Sequence, residues 1–353
     1  MCVSCAFRGD VLEVEETPGS AARLNTRSGG NLVRAHLKEG RQLDMRTRWY
    51  GRDTELTVRM FITMFLLFAV YLGFLAVLWA AGVSYVSLLV IAVILMGIQY
   101  YFSDRIVLWS MGARIVSPEE APQLHGIVDR LVALADLPKP KVAIADTDVP
   151  NAFATGRSPK NAVVAVTSGL MRRLEPPELE AVIAHELTHV KNRDAMVITI
   201  ASFLSTAAFF MMRTLMWGSL FGFGGFGGYG GGRRRGRGGG GYIIFVYLAA
   251  LAVWVISFFL IRALSRYREF AADRGSAIIT GAPSQLSSAL VKISGTMQRI
   301  PQQDLRQVEG MNAFFFFPAM SGSSLSELLS THPSLEHRLA RLSRMQQEME
   351  RVA

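Results

Sequence analysis

Cysteine is almost missing from this chain of 353 residues: Cys2 and Cys5 are all there are. A lone C-x-x-C pair cannot close a four-ligand metal site and two thiols cannot build a disulfide framework, so both scaffolds are excluded and the pair reads as incidental. Charge is scarce as well. Only 18% of residues are charged while 50% are hydrophobic, and the mean hydropathy is +0.28, too apolar for an ordinary soluble protein and suited to a membrane. The formal excess of +9 suits nucleic acid, anionic lipid, or loops held on the cytoplasmic side. No aromatic-plus-basic motif accompanies it, so nucleic acid is not expected as a partner. No apolar run precedes residue 60, so no cleavable signal is expected and the first run should act as an anchor that stays in place.

Residues 1–55 are polar, spotted with Gly, Ser and Arg, and without period, which predicts a disordered N-terminal extension. Met45 opens "MRTRWYGRDTELTVRM", which has the character of a natural start. Between Met60 and Ser103 there is no charge at all, a run too long for one crossing of a layer that about 20 helical residues span. Region 56–103 is therefore expected to be a two-helix anchor, with helices at 60–81 and 84–102 joined by "AAGVSY". Arg46, Arg48, Arg52 and Arg59 before it and Arg105 after it place both flanks in the cytoplasm.

Residues 104–194 are soluble in character. "SPEEAPQLHGIVDRLVALADL" has helical spacing, and "KVAIADT", "NAFATG" and "NAVVAVTSGL" are short β-rich runs that predict a small antiparallel sheet. "EPPELEAVIAHELTHVKNRD" opens a helix at Pro176-Pro177, with Glu178 and Glu180 near its positive end. Two more apolar stretches, 195–212 and 242–261, frame "FGFGGFGGYGGGRRRGRGGGG", so 195–261 reads as an apolar helical hairpin with a flexible Gly/Arg-rich loop at 218–241. Residues 262–353 are polar and mostly helical, apart from a loop around "FFFFPAMSGSS". The expected class is a mainly α membrane protein with about four transmembrane helices.

His185 and His189 stand four apart, on one face of a helix, where both imidazoles can reach a single ion. Glu186 beside them is placed to act as a base on water rather than as a ligand, the arrangement of zinc-dependent peptidases. A solvated helix face could carry the same letters, but the flanks "AVIA" and "MVITI" are apolar, where unpaired polar groups are costly to bury. A third ligand is needed. The metzincin pattern would place glycine at 192 and histidine at 195; Asn192 and Ala195 stand there, so that class is excluded. The remaining source is an acid from a later helix, and "SRYREFAADRGSA" supplies Glu269 and Asp273 on one helical face. Glu269 can reach the ion while Asp273 supports a ligand or fixes an arginine; the bland reading of both is surface charge.

Together, H-E-L-T-H at 185–189, S-R-Y-R-E-F-A-A-D at 265–273 and T-H-P-S-L-E-H-R-L at 331–339 resemble the HtpX family of membrane-bound zinc peptidases, relatives of the CAAX prenyl proteases and mitochondrial quality-control peptidases. The likeness covers about residues 46–345 and includes "NAFATG". It implies a zincin-like (gluzincin) domain whose two parts are 104–194 and 262–353. It further implies one Zn2+ per subunit on His185, His189 and Glu269, and a multi-pass protein of the cell membrane with its site facing the cytoplasm. The implied task is zinc metalloendopeptidase action on misfolded or damaged membrane proteins. Asn151 resembles the family's edge-strand element beside the cleft, where an extended peptide can add by backbone hydrogen bonds; its plain alternative is to shape the turn after Pro150. His332 is a candidate to join Glu186 in catalysis as a donor to the oxyanion, or else caps the helix after Pro333. Arg338 either pairs with Asp273 or holds substrate. Two rival readings are a CAAX-type prenyl-protein processing peptidase, for which four spanning helices are few, and a non-catalytic zinc-binding scaffold, which would not need Glu186.

Since the histidines precede the third apolar stretch and Glu269 follows the fourth, the crossings between them must be even in number. Two crossings put Arg233, Arg234, Arg235 and Arg237 outside, against the positive-inside rule. Two crossings remain the expectation over a hairpin that does not fully cross.

Overall fold

The chain is described by a computed structural model over residues 53–80, 107–220, 239–297 and 332–352, with isolated helical positions between 90 and 105. The polar extension, most of the second anchor helix, most of the Gly/Arg-rich loop and the "FFFFPAMSGSS" loop lie outside the described residues.

Helix α1, Thr54–Ala80, starts where Asp53 accepts a hydrogen bond from the Leu56 amide at 3.0 Å, a side-chain cap for an otherwise orphaned donor. It is apolar on every side, as a helix surrounded by lipid or protein must be. Leu67, Tyr71, Phe74 and Leu78 are buried with residues of two later helices, α5 (Asp194–Leu220) and α6 (Gly239–Thr280), while Phe61, Phe65 and Trp79 point outward. Among the described residues three helices are long and apolar enough to cross a membrane: Thr54–Ala80, Asp194–Arg213 and Ile244–Thr280. The fourth expected span, at 84–102, lies largely outside those residues.

Helix α6 runs unbroken for 42 residues, through residue 261, where the sequence turns from apolar to polar. No proline stands in it before Pro283 and the single glycine of its polar half, Gly275, is accommodated, so the helix persists although its surroundings change. At 1.5 Å per residue it is about 60 Å long, twice a hydrocarbon layer of about 30 Å. Its second half therefore projects out of the layer and carries Glu269 and Asp273 with it.

The four strands are β1 (Ala113–Ile115), β2 (Lys141–Ala145), β3 (Ala152–Thr155) and β4 (Val163–Thr167), in the spatial order β1-β2-β4-β3. The sheet is mixed rather than antiparallel: β2 and β4 run parallel, with Lys141 opposite Val163, while the outer pairs are antiparallel. The expectation failed because short apolar runs show that a segment is a strand but not which neighbour it takes. Every residue of β4 is buried, as suits an inner strand covered on both faces, and β3 is left as an edge.

Helix α2 (Pro122–Ala135) and α4 (Pro176–Lys191) follow the sequence reading closely, whereas the end of "NAVVAVTSGL", expected as strand, turns into the short helix α3 (Ser168–Met171), capped by Thr167, which accepts from the Leu170 amide. The α4 start is a capping box: Glu175 and Glu178 each accept from the other's backbone amide. Ala181, Val182, Ile183, Ala184 and Leu187 are fully buried, since α4 packs against α2, α6, β3 and α7 (Pro283–Met297). Helix α8 (Leu335–Val352) closes the domain against α7 and α6.

Candidate metal centre

Two helices meet edge to edge at the centre. A methyl group at Gly275 of α6 would lie 2.3 Å from Thr188 Cγ2 of α4, so only glycine permits this approach. Next to it, Ser276 Oγ donates to the Ala181 carbonyl at 2.6 Å. That close seam brings Glu269, two turns back along α6, to the histidine face of α4.

The Nε2 atoms of His185 and His189 are 3.1 Å apart. Glu269 Oε1 lies 3.4 Å from His189 Nε2, and Glu269 Oε2 lies 3.6 Å from His185 Nε2. Donors 2.0–2.1 Å from a tetrahedral ion are about 3.3–3.4 Å from one another, so the triangle has the size such an ion demands. The three donors converge in a mostly buried place, and Glu269 Oε2 has no well-aligned hydrogen-bond donor. Two imidazoles and a carboxylate form a donor set suited to a divalent ion of borderline softness.

Each histidine is held from behind. His185 Nδ1 lies 3.0 Å from Asp273 Oδ1, and Arg338 grips Asp273 with Nε at 2.9 Å and Nη2 at 2.5 Å. His189 Nδ1 donates to Asp194 Oδ2 at 2.5 Å, and Asp194 is paired with Arg268. Anchoring both Nδ1 atoms turns both Nε2 lone pairs toward the same point. Burial opposes the charge on Arg338, but Asp273 and Glu269 hold its guanidinium above its ordinary range. Glu186, Asp194, Glu269 and Asp273 are buried with Arg268 and Arg338; with all ionised, two negative charges are left over, which one divalent cation cancels. Without it such a cluster would be costly to bury.

The structure brings His185, Glu186, His189, Glu269, Asp273, His332 and Arg338 together. His332 Nδ1 is 3.1 Å from Glu269 Oε2, and Arg338 Nη1 is 3.5 Å from the same atom. At the start of α8 it is Ser334 that pairs with His337 Nδ1, at 2.9 Å, while His332 faces the site. Asp194 and Arg268 escape the sequence reading although one ends "HELTHVKNRD" and the other stands in "SRYREFAAD". Asp194 is five places after His189, off the helical face, and reaches back only because Arg193 takes a left-handed conformation at φ 56.

Glu186 is buried beside the triangle, and the Ala154 amide of β3 hydrogen-bonds to it. Burial pushes its carboxyl up, with His189 and His185 opposing and Glu269 adding to the rise. Asn151 is wholly buried at the start of β3: its amide donates to Thr167 Oγ1 and its carbonyl accepts from the Thr167 amide, both at 2.9 Å. It therefore fixes the edge strand that flanks Glu186. A cleft runs beside this strand end, lined by Thr155, Gly156, Arg157, His189, Arg193 and Met196 among others.

The model of peptidase family M48 matches residues 118–346. A protease HtpX homolog of Moorella thermoacetica is 65% identical over 304 residues, 86% of this chain and 98% of that one. Protease HtpX homolog 2 of Methanosarcina acetivorans is 61% identical over 305 residues, 86% of this chain and 100% of its own. Among solved structures, the crystal structure of S. mikatae Ste24p matches with a TM-score of 0.47 at 17% identity, covering 82% of this chain and 67% of that one. With the family match spanning more than half of the sequence and such similarity along nearly the full length of these relatives, the chain belongs to peptidase family M48, with the HtpX proteases, and is a membrane-bound metalloprotease.

Proposed function

We propose that the ion is zinc, one per subunit, held by His185, His189 and Glu269, and that the chain is an endopeptidase of the cell membrane with its site on the cytoplasmic face. Its proposed substrates are misfolded or damaged membrane proteins. The donor set supports zinc. The position of the site supports the substrate class: Asp194, which orients His189, is also the first residue of membrane helix α5, so the cleft opens where a segment leaving the lipid would first meet it. The arginines around α1 support the cytoplasmic side.

A zinc ion bound there would supply Lewis acidity and lower the pKa of water toward neutrality. The protein's own groups do the rest. Glu186 takes the proton of the attacking water and returns it to the leaving nitrogen. His332 donates to the carbonyl oxygen as its charge grows, a role supported by its position 3.1 Å from Glu269. Arg338 acts through Asp273, positioning His185. The free edge of β3 takes the substrate backbone as an added strand, so binding depends little on sequence. Nothing among the described residues favours a prenyl-protein processing peptidase or a non-catalytic scaffold.

The observation that carries this reading is the buried Glu186 beside three donors spaced 3.1–3.6 Å apart. Purified Glu186→Gln should keep one zinc per chain yet lose casein cleavage by about a hundredfold to ten-thousandfold, while Glu269→Ala should lose the metal. Unchanged cleavage by Glu186→Gln, or full zinc content in Glu269→Ala, would refute it.

A further inference from the structure

We infer that the cleft beside the metal-ligating residues selects peptides carrying an acidic side chain close to the scissile bond, and that Arg157 and Arg193 read it. This rests on the peptidase reading above. Arg157 stands directly beyond the end of β3, where Gly156 turns the chain at φ 128. A side chain on Gly156 would lie 2.4 Å from the Asn161 carbonyl oxygen, so the turn is fixed and with it the place from which Arg157 extends. Arg193 sits on the other wall, between α4 and α5. Its backbone is fully committed: its amide bonds to the Val190 carbonyl at 3.1 Å and its carbonyl accepts from the Val197 amide at 3.2 Å. Only its exposed side chain is left to meet a ligand.

Neither guanidinium has a carboxylate partner among the described residues. Arg114, Arg130, Arg172 and Arg268 each pair with an acid. Arg157 instead lies over the Tyr101 ring, 5.3 Å from its centroid, and no ion pair engages Arg193 among the described residues. Asp194 lines the same cleft, but His189 and Arg268 hold it. Among the described residues lining the cleft, two guanidiniums thus stand without a carboxylate partner, and the one acid there, Asp194, is already held. A strand added to β3 that continues past Gly156 meets the first of them, and a carboxylate is the group a guanidinium fork matches best. A lysine there would be repelled, which supplies discrimination without a deep pocket. Because Met196 at the foot of α5 also lines the cleft, anionic lipid is the competing ligand. The placement of both arginines on the cleft walls with His189, rather than on an outer face, favours the peptide.

The test uses the full-length zinc-loaded protein in detergent and peptides identical but for glutamate or glutamine, scanned over three positions either side of the cleaved bond. At one or two positions the glutamate peptide should show a kcat/KM about tenfold higher, with the advantage shrinking as salt rises. In Arg157→Ser/Arg193→Asn, where asparagine tolerates the left-handed backbone, the ratio should fall to about one, and Arg157→Glu should turn the preference toward lysine. Binding of the same peptides to Glu186→Gln, read by fluorescence anisotropy, should show the same selectivity without turnover. Equal cleavage of both peptides by the wild type, or an unchanged ratio in the double variant, overturns the inference alone. So does a double variant that keeps the ratio and loses only its retention on phosphatidylglycerol vesicles. A wild type that cleaves neither peptide removes the peptidase reading as well.

Discussion

Asp194 has two partners, and the consequence of removing its charge depends on which matters more. If its main task is to hold the His189 ring, Asp194→Asn keeps the shape, weakens the anchor on Nδ1, and should lower zinc affinity about tenfold to a hundredfold. A competing chelator measures this. If its task were only to neutralise Arg268, affinity would stay at the wild-type level and stability alone would drop. The same residue marks the limit of what could be read from the sequence. His185, His189, Glu269 and Asp273 were legible because helical periods of four place them on shared faces. Asp194 was not, because it depends on one left-handed residue, Arg193, that bends the chain between two helices. Arg268 was hidden for a related reason: it neighbours Glu269 in sequence but serves the other histidine.

At the scale of elements, the site depends on how closely α6 lies against α4. Gly275→Ala would place a methyl within 2.3 Å of Thr188 Cγ2 and 2.4 Å of its Oγ1, and Thr188 is only 4% exposed and has no room to retreat. The helices must separate, at a cost of about 1–3 kcal/mol, and Glu269 moves away from the histidines. Lower thermal stability and weaker zinc binding should appear together in Gly275→Ala. Adding Thr188→Ala removes the two nearest atoms and should restore part of both; additive losses in the double variant would show that the seam is not the cause. The opposite side of α4 is tied by charge. Burial alone would raise the Glu178 carboxyl, but Lys292 at 2.8 Å, Ser288 at 2.6 Å and the Glu175 amide together hold it below its ordinary range. A depressed folded pKa gives stability that is complete above the unfolded value and lost as pH falls through the folded one. The α4–α7 junction should therefore weaken below the usual glutamate range, and Glu178→Gln should flatten the melting profile there; identical acid profiles would exclude this role. Hydrophobic patterning announced these helices, whereas the parallel pairing of β2 with β4 needed knowledge of which run occupies the interior.

For the whole molecule, the decisive constraint is that one ion needs ligands from both sides of the 195–261 region. Helix α5 leaves from Asp194 at the site, and α6 returns to it at Glu269. Both are long enough for a complete crossing, since 27 residues make about 40 Å of helix against a layer of about 30 Å. Both also contribute to the same buried cluster as α1, through Ala201 and Ala208 on one and Val246, Ala250 and Val253 on the other. Outward apolar residues such as Ile200, Phe245, Leu248 and Phe259 match Phe61 and Phe65 of α1, as three lipid-facing helices side by side require. The segment joining α5 to α6 should then emerge on the face opposite the site, although it holds Arg233, Arg234, Arg235 and Arg237. A long spanning pair locked against α1 outweighs the charge bias of one glycine-rich loop. In a background with Cys2 and Cys5 replaced by serine, a cysteine in place of Gly230 should react with a membrane-impermeant maleimide in intact cells. One in place of the exposed Glu336 on α8 should react only after lysis. Equal protection of both positions would mean that α5 and α6 dip into the bilayer and turn back, and the membrane-spanning role of α5 would have to be withdrawn.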